Sequence, residues 1–552
     1  MFTAHPSSPR RKARIVASVG ALAVAVTMLS ACTSPDPNAT AKAVDFELTA
    51  QTAQPSGDLD SFTWSLSAEP TSLAYTYAFD YPPNQILANV CESLLRWNPD
   101  LSVSPGLATA FSNPTPTTWV YDIREGVTFH DGTALTAADV VASLKRNLDP
   151  EVGSYWASAY QNVASIDQTG PMQVTVTTTV PDSQFNSYMA ATPGVVESAA
   201  TLAKDGADYG NPTTGVNCTG PFSFGSWSPG SSITLERYDG YWDADLAAHS
   251  KEVKFVFLGD PSARVTAFQS GDVDGGWQVP TSGIEQLKAS GAGGVYFGVN
   301  TAVSSEIVSD LNGPLGDKNV RQALLMATDR KGLISAAENG YASLTDAFTT
   351  PTVWTDAGAD AKAKAFDDLK TYGYDVAAAK KLVTDAGVSG QKIVIAMSPA
   401  SVAESIIAQA VSSAATAIGL VPEIKTISPD KYGALFVDPA AREGIDLFFT
   451  NFYNSTSDPL DTLAVLQSDN FSNYGGWSNS EYDAAFATAT SELDPIARGT
   501  SEAQMQVIAN EELPWLPLYS SPTTVWLNKR ITGVAPSIAF LYYPWAAMIG
   551  AA

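Results

Sequence analysis

Around residue 315 the apolar residues of this chain change their period, and that change decides what the chain can fold into. Before it, Trp119, Tyr121 and Ile123 alternate with polar residues, the period-two pattern of a half-buried strand. The Glu125-Gly126 turn leading into Val127-Thr128-Phe129 reads as a hairpin closed by Asp131-Gly132. Thr136 and Asp139 form a capping box, stapled by Leu135 and Val140, that opens a helix with Val141 and Leu144 inside. Further strands are expected at 174–180, 233–237 and 253–257.

After residue 315 the period becomes helical. Val320, Ala323, Leu324 and Ala327 mark one helix; Val376, Ala379, Leu382 and Val383 mark another that stops at Gly387. A strand at 393–397 leads to a helix opened by Ser401 and Glu404 and ended at Gly419, then to strands near 423–427 and 445–449. This rhythm is that of an α/β lobe with a partly parallel sheet. About 495 residues remain for folding once the first 57 are set aside, too many for one core, so at least two domains are expected.

Those first residues have their own logic. Arg10, Arg11, Lys12 and Arg14 precede an uncharged apolar run from Ile15 to Leu29, the layout of an export signal. As a helix the run reaches only ~22 Å against roughly 30 Å of bilayer hydrocarbon, too short for a comfortable span. It ends in Leu29-Ser30-Ala31-Cys32, which resembles a bacterial lipobox and makes Cys32 the expected lipidated N-terminus of the mature chain. An ordinary secretory cleavage, leaving Cys32 as a free thiol, is the alternative. Residues 33–57 are rich in Thr, Ala, Pro, Ser and Gln and read as a flexible tether with a reach of roughly 25 to 30 Å. Cys91 and Cys218 then face an oxidising compartment and are expected to pair, two separate buried thiols being the alternative.

Removal of residues 1–31 takes four cationic and no acidic residues, leaving 27 basic against 57 acidic residues and a net charge of −30. Such a chain does not bind nucleic acid. Its mature part has two histidines, His130 and His249, which starves metal and triad chemistry. No G-x-S-x-G, H-E-x-x-H or C-x-x-C occurs, and the 291–296 glycine run fails the dinucleotide fingerprint. No cofactor or metal is expected. Asp272 and Asp274 are the nearest thing to a hydrolase's acidic pair.

Ligands of open α/β sheets bind beyond the carboxyl ends of strands. The loop expected after Phe449 therefore supplies the first candidates, Asn451, Phe452, Tyr453, Asn454 and Ser455, where aromatic faces stand beside amides and a hydroxyl. Trp277, between glycines and Pro280 in a segment that reads as irregular and accessible, is the best of the other aromatics; Tyr75, Tyr77 and Trp156 complete the set.

Six blocks in order resemble the family 5 extracellular solute-binding proteins, the dipeptide, oligopeptide and nickel class serving ATP-driven importers. They are Glu92-Ser93-Leu94-Leu95; Thr118-Trp119 through Arg124-Glu125-Gly126-Val127-Thr128-Phe129-His130-Asp131-Gly132 to Thr136–Val140; Thr219-Gly220-Pro221-Phe222; Ala267–Asp274; Val320-Arg321-Gln322-Ala323-Leu324; and Pro514–Tyr519. The resemblance implies a two-lobed, periplasmic-binding-protein-like clamp with mixed sheets. Lobe one would comprise 58–90, 195–290 and 515–552, with an extra domain at 91–194 inserted in it and stapled by a Cys91–Cys218 bridge. Lobe two would be 291–514, with the ligand in the cleft. It also implies a monomer that binds a peptide or peptide-like solute and hands it to a membrane permease. Similar peptide binders place an aspartate three residues before the Asp-Pro pair to meet the peptide ammonium; here that position is Ser455, ahead of Asp458-Pro459. An ammonium buried without its carboxylate costs several kcal/mol. A blocked peptide, a sugar, a siderophore or a metal chelate is thus the alternative cargo, with Asp458 as the substitute anion for a free amine. A secreted hydrolase and a sensory lipoprotein are the competing functions.

Overall fold

Two large sheets organise the chain. The structure, a computed structural model, describes residues 44–399 and 401–552; the expected export signal, the expected lipidation site Cys32 and part of the expected tether lie outside them. A seven-stranded sheet runs Phe222–Ser228, Ser232–Arg237, Ser250–Phe257, Leu59–Leu66, Gly275–Trp277, Thr523–Asn528, Gly293–Gly298. A six-stranded sheet runs Ser343–Leu344, Trp515–Ser520, Ala302–Val308, Leu447–Tyr453, Lys392–Met397, Val421–Thr426. Both mix parallel and antiparallel pairs: Leu59–Leu66 lies parallel to Ser250–Phe257, and Lys392–Met397 lies parallel to both of its neighbours.

The chain passes between these sheets twice, at 299–301 and 521–522. These passages replace the expected boundaries at 290 and 514. Gly293–Gly298 pairs with Thr523–Asn528 in the first sheet, and Trp515–Ser520 pairs with Ala302–Val308 in the second. Backbone pairing, invisible to local composition, shifts each border by several residues. The two passages are tied directly, Asn300 Nδ2 donating to Ser521 O at 2.9 Å.

Between the first-sheet segments sits a four-stranded antiparallel sheet, Ala108–Thr115, Thr118–Ile123, Gln173–Thr178 and Val163–Gly170, backed by helix Ala137–Arg146. The expected alternation is present, Trp119, Tyr121 and Ile123 being buried. The expected hairpin is not. Thr118–Ile123 pairs with Ala108–Thr115 and Gln173–Thr178, while 127–129 forms only an isolated bridge from Thr128 to Ala134. The capping box is as read: Thr136 Oγ1 accepts from Asp139 N, and Asp139 Oδ2 accepts from Thr136 N at 2.9 Å.

In the second half the helices fall on the predicted periods: Lys318–Ala327, Val376–Asp385, and Val402–Ile418 capped by the Ser401 side chain. Gly387 and Gly419 take positive φ of 71° and 97°, the left-handed conformation that ends a helix cheaply only at glycine.

The tether is shorter than its composition indicates. Residues 44–57 are pinned to the body: Thr49 N donates to Phe297 O, Thr52 N to Val534 O, and Ser56 N to Ala551 O. Phe46 packs on Phe297 at 5.1 Å between ring centroids. A few apolar side chains and backbone pairing suffice to order a segment that reads as polar linker. Among the described residues no helix is long and apolar enough to cross a membrane.

Candidate functional site

The strand that carries the first candidates does not end at Phe449. It runs Leu447–Tyr453 and pairs throughout with Ala302–Val308, setting Asn451 against Ser304 and Tyr453 against Ala302. The Asn in Phe449-Thr450-Asn451-Phe452 looks like a loop residue, but the aromatic and β-branched neighbours keep the ladder. Alternation then separates the candidates. Phe452 turns into the core against Trp515, 5.6 Å between centroids. Asn451 is exposed and accepts from Ser304 Oγ at 3.1 Å.

Tyr453 reaches across to the other half. Its hydroxyl donates to Phe79 O at 2.7 Å and its ring lies 5.3 Å from that of Tyr81. Tyr81 opens helix Tyr81–Val90, which Asp80 caps by accepting from Tyr81 N, with Pro82 and Pro83 in its first turn. Asn454 is fully buried and structural: Nδ2 donates to Asp458 O at 2.7 Å, and Oδ1 accepts from Thr462 Oγ1 at 2.6 Å.

Ser455 leads to a group the sequence reading missed. Its amide donates to Asp461 Oδ2 at 2.6 Å, and the other oxygen of Asp461 accepts from Tyr188 Oη at 3.0 Å. Tyr188 belongs to the segment inserted before the second half of the first sheet, so Asp461 stands where the halves meet. Burial pushes this carboxyl up to about 6, offset by the Ser455 amide and the Tyr188 hydroxyl and reinforced by the nearby Asp458 charge; among the described residues no cation faces it. Asp458 itself is committed, paired with the Arg498 guanidinium and capping Leu460 N at 2.9 Å. It is therefore not a substitute anion. Tyr542 completes the group: its hydroxyl stands beside Ser455, Tyr453 and Thr192, and burial pushes it up to about 12. The missed signal was Asp461 itself, three residues beyond Asp458 in the short helix Leu460–Leu463.

The halves touch elsewhere along the same seam. Ser183 N donates to Thr490 O at 2.9 Å and Ser183 Oγ to Ala489 O at 3.1 Å, at the end of helix Ser480–Ser491. Within the first half, a cavity of about 10 Å³ is lined by Tyr542, Asn84, Ser93 and Thr192, and Asn84 Nδ2 is a buried donor without a partner.

The remaining aromatics divide. Trp277 is not accessible: it is fully buried, stacked on Phe540 at 4.5 Å and packed on Trp64 and Trp545. Its glycines serve packing, since a Cβ at Gly275 would fall 2.2 Å from the Trp64 ring and one at Gly276 2.3 Å from Ser65 Oγ. Tyr75 is likewise buried, donating to Ser143 O. Tyr77 is half-buried, with its hydroxyl on Val152 O at 2.6 Å. Its ring meets Tyr155, which meets exposed Phe79, so an aromatic lip runs toward Tyr453. Trp156 is half-buried beside this lip in sequence, and its Nε1 is buried without a partner.

Cys91 and Cys218 are disulfide-bonded, Cα to Cα 4.9 Å. Around the bridge the blocks that carry the resemblance assemble into a structural knot. Glu92 accepts from Thr219 and Trp242 on one oxygen and from Tyr241 and Arg96 on the other. His130 Nε2 lies 3.0 Å from Gly220 O, and burial lowers its imidazole to about 4, so it is neutral. Asp274, the hydrolase candidate, is occupied by Arg530, Asn528 and Thr63 N.

With this geometry the chain is a two-sheet binding protein, and comparison places it. Residues 102–474 match the family model described as bacterial extracellular solute-binding proteins, family 5 Middle. The chain belongs to that family: it is a solute-binding protein of the ATP-binding-cassette importer class and not an enzyme. It is 24% identical over 443 residues to the glutathione-binding protein GsiB of Shigella dysenteriae serotype 1 (strain Sd197), covering 77% of this chain and 82% of that protein. It is 24% identical over 511 residues to the dipeptide-binding protein DppE of Bacillus subtilis (strain 168), covering 87% and 90%. The PBP AgaA from A.tumefacien R10, solved in complex with agropinic acid, shares the two-lobed fold with a TM-score of 0.77 at 22% identity, covering 89% of this chain and 99% of AgaA.

Proposed function

We propose that this protein captures a peptide or peptide-like solute with a free amine at the seam between its two sheets and delivers it to the permease of its importer. Asp461 supplies the carboxylate for the amine, and Tyr453, Tyr81, Tyr188, Ser455 and Tyr542 surround it. The observation that carries this reading is an Asp461 carboxylate at the seam with three neutral donors, Ser455 N, Thr456 N and the Tyr188 hydroxyl, and, among the described residues, no cation. An ammonium placed there gains a charge-assisted hydrogen bond, worth about 1.5–3 kcal/mol. The names of GsiB and DppE, a glutathione binder and a dipeptide binder, support the same class of cargo. The lobes follow the plan the resemblance implies, with their borders moved to the passages at 299–301 and 521–522, which serve as hinge. The protein acts as a monomer held to the outer face of the membrane by a lipid on Cys32.

Calorimetric titration with di- and tripeptides and their N-acetylated forms tests the reading. Free-amine peptides should bind, N-acetylation should weaken binding about 10- to 100-fold, and Asp461→Asn should erase that difference. Equal affinity of free and acetylated peptides for the unaltered protein would defeat it.

A further inference from the structure

A second cluster of carboxylates lies on the six-stranded sheet, away from Asp461. Glu306 sits in the strand Ala302–Val308, opposite Phe449 on one side and Leu516 on the other. It is 1% exposed, and its Oε2 has no hydrogen-bond partner. Glu404, itself 6% exposed and in the first turn of helix Val402–Ile418, is the charge that acts on it. Glu404 accepts from Ser398 N at 2.5 Å and is hydrogen-bonded by Tyr432, whose hydroxyl also bridges the main chain of Phe449. On the other flank Tyr519 Oη donates to Glu338 at 2.8 Å and borders Ser304 and Glu306. Glu306 and Glu404 thus face one another, with Tyr519 linking Glu306 to Glu338, and among the described residues no lysine or arginine acts on any of the three acids.

Placement makes this more than an acidic patch. Ser304, two residues from Glu306 on the same face, is bracketed by Asn451 and Tyr519 in the sheet register. Glu404 and its donor Ser398 follow the carboxyl end of the parallel strand Lys392–Met397, the end at which α/β sheets bind ligands. Glu338 also hydrogen-bonds Thr281, from the other half, so the cluster touches the seam. A buried carboxylate with an unmet oxygen is costly, and an incoming cation with N–H donors offsets that cost. Burial and Glu404 push Glu306 up to about 8, so near neutral pH it is held largely as the neutral acid, and a cation placed beside it would favour loss of its proton.

We infer that Glu306, with Glu404 and Glu338 around it, is a second recognition subsite that takes a cationic group of the solute, an alkylammonium or guanidinium. This deepens the reading of the seam as a peptide site and rests on it for the identity of the cargo. The cargo it selects is a peptide bearing a basic side chain, the main-chain amine going to Asp461.

Titration calorimetry with Ala-Lys-Ala, Ala-Arg-Ala, the neutral isostere Ala-norleucine-Ala, and the simple cations cadaverine and agmatine tests this. The lysine or arginine tripeptide should bind at least about tenfold more tightly than the norleucine one. Glu306→Gln and, separately, Glu404→Gln should abolish that preference while leaving norleucine-peptide affinity within about twofold. Thermal unfolding of Glu306→Gln should match the parent, because the oxygen it replaces has no partner, whereas Glu404→Gln perturbs the bonds from Ser398 and Tyr432 and is read by the lost preference alone. Binding of all three tripeptides with equal affinity overturns the subsite and leaves the peptide reading standing. Binding of cadaverine or agmatine, lost in Glu306→Gln, without any peptide binding sinks the peptide reading and upholds the subsite. Failure of every cationic probe to bind, or stabilisation by Ca²⁺ or Mg²⁺ that Glu306→Gln removes, overturns the subsite.

Discussion

Replacing both Cys91 and Cys218 by alanine removes a cross-link between residues 127 apart in sequence. Closing a loop of that length costs the unfolded chain entropy equivalent to roughly 5 kcal/mol, an upper value if the unfolded state is compact. Unfolding entropies near 2 cal/mol/K per residue give about 1 kcal/mol/K for some 500 residues, so the transition should fall by about 5 °C. The knot around the bridge should persist in the variant, because Glu92 keeps its four donors from Thr219, Trp242, Tyr241 and Arg96. Scanning calorimetry of the double variant, and of the unaltered protein with and without reductant, measures the effect. The reduced parent and the variant should coincide, with solute affinity unchanged because neither sulfur lies at Asp461. A transition that does not move, or an affinity that drops with it, would refute the reasoning.

Other expectations follow from the same structure. Trp277→Ala should destabilise by about 3–5 kcal/mol in denaturant unfolding, as for other buried large-to-small changes, without acting as a selective binding defect; a variant of normal stability that binds solute poorly would restore Trp277 to the site. Asp461 has a folded pKa raised to about 6, so the native state favours its neutral form. Its contribution to stability is full below about pH 3.8, the ordinary value, and is lost as pH rises through about 6. Glu306 and Glu197, both pushed up to about 8, act in the same sense over a window reaching pH 8. Ligand-free protein should therefore unfold at a higher temperature at pH 5 than at pH 8, and a flat or reversed profile would contradict these assignments. Phe46→Ala should release residues 44–57, read as new protease cleavage there with the body intact, since its ring packs on Phe297 and Tyr341.

Much of the architecture was legible because it rests on local physics. The Thr136–Asp139 box, the Ser401 cap and the stops at Gly387 and Gly419 each work through a few adjacent residues, and each is where the sequence places it. What failed depends on partners distant in the chain. A hairpin through Val127, Thr128 and Phe129 was expected from proximity, yet Thr118–Ile123 takes its neighbours from 108–115 and 173–178. Glycines beside Trp277 look like flexibility in one dimension and prove to be clearance for Trp64 and Ser65 in three. The segment was found but misplaced: Asn451, Phe452 and Tyr453 were expected in a loop after Phe449 and lie in the strand itself, where alternation packs Phe452 on Trp515, while burial makes Asn454 a brace. Asp461 and Glu306 escaped because one carboxylate among 57 acidic residues carries no mark until its surroundings show that, among the described residues, no cation answers it.

The central claim is capture by a hinged pair of lobes. Single-molecule energy transfer between dyes at Lys251, on the seven-stranded sheet, and Val402, at the start of a helix on the six-stranded half, reports it directly. Saturating peptide should shift the population to one short-distance state, and the peptide should be recovered unaltered. A distance distribution that stays the same at saturation would contradict the account.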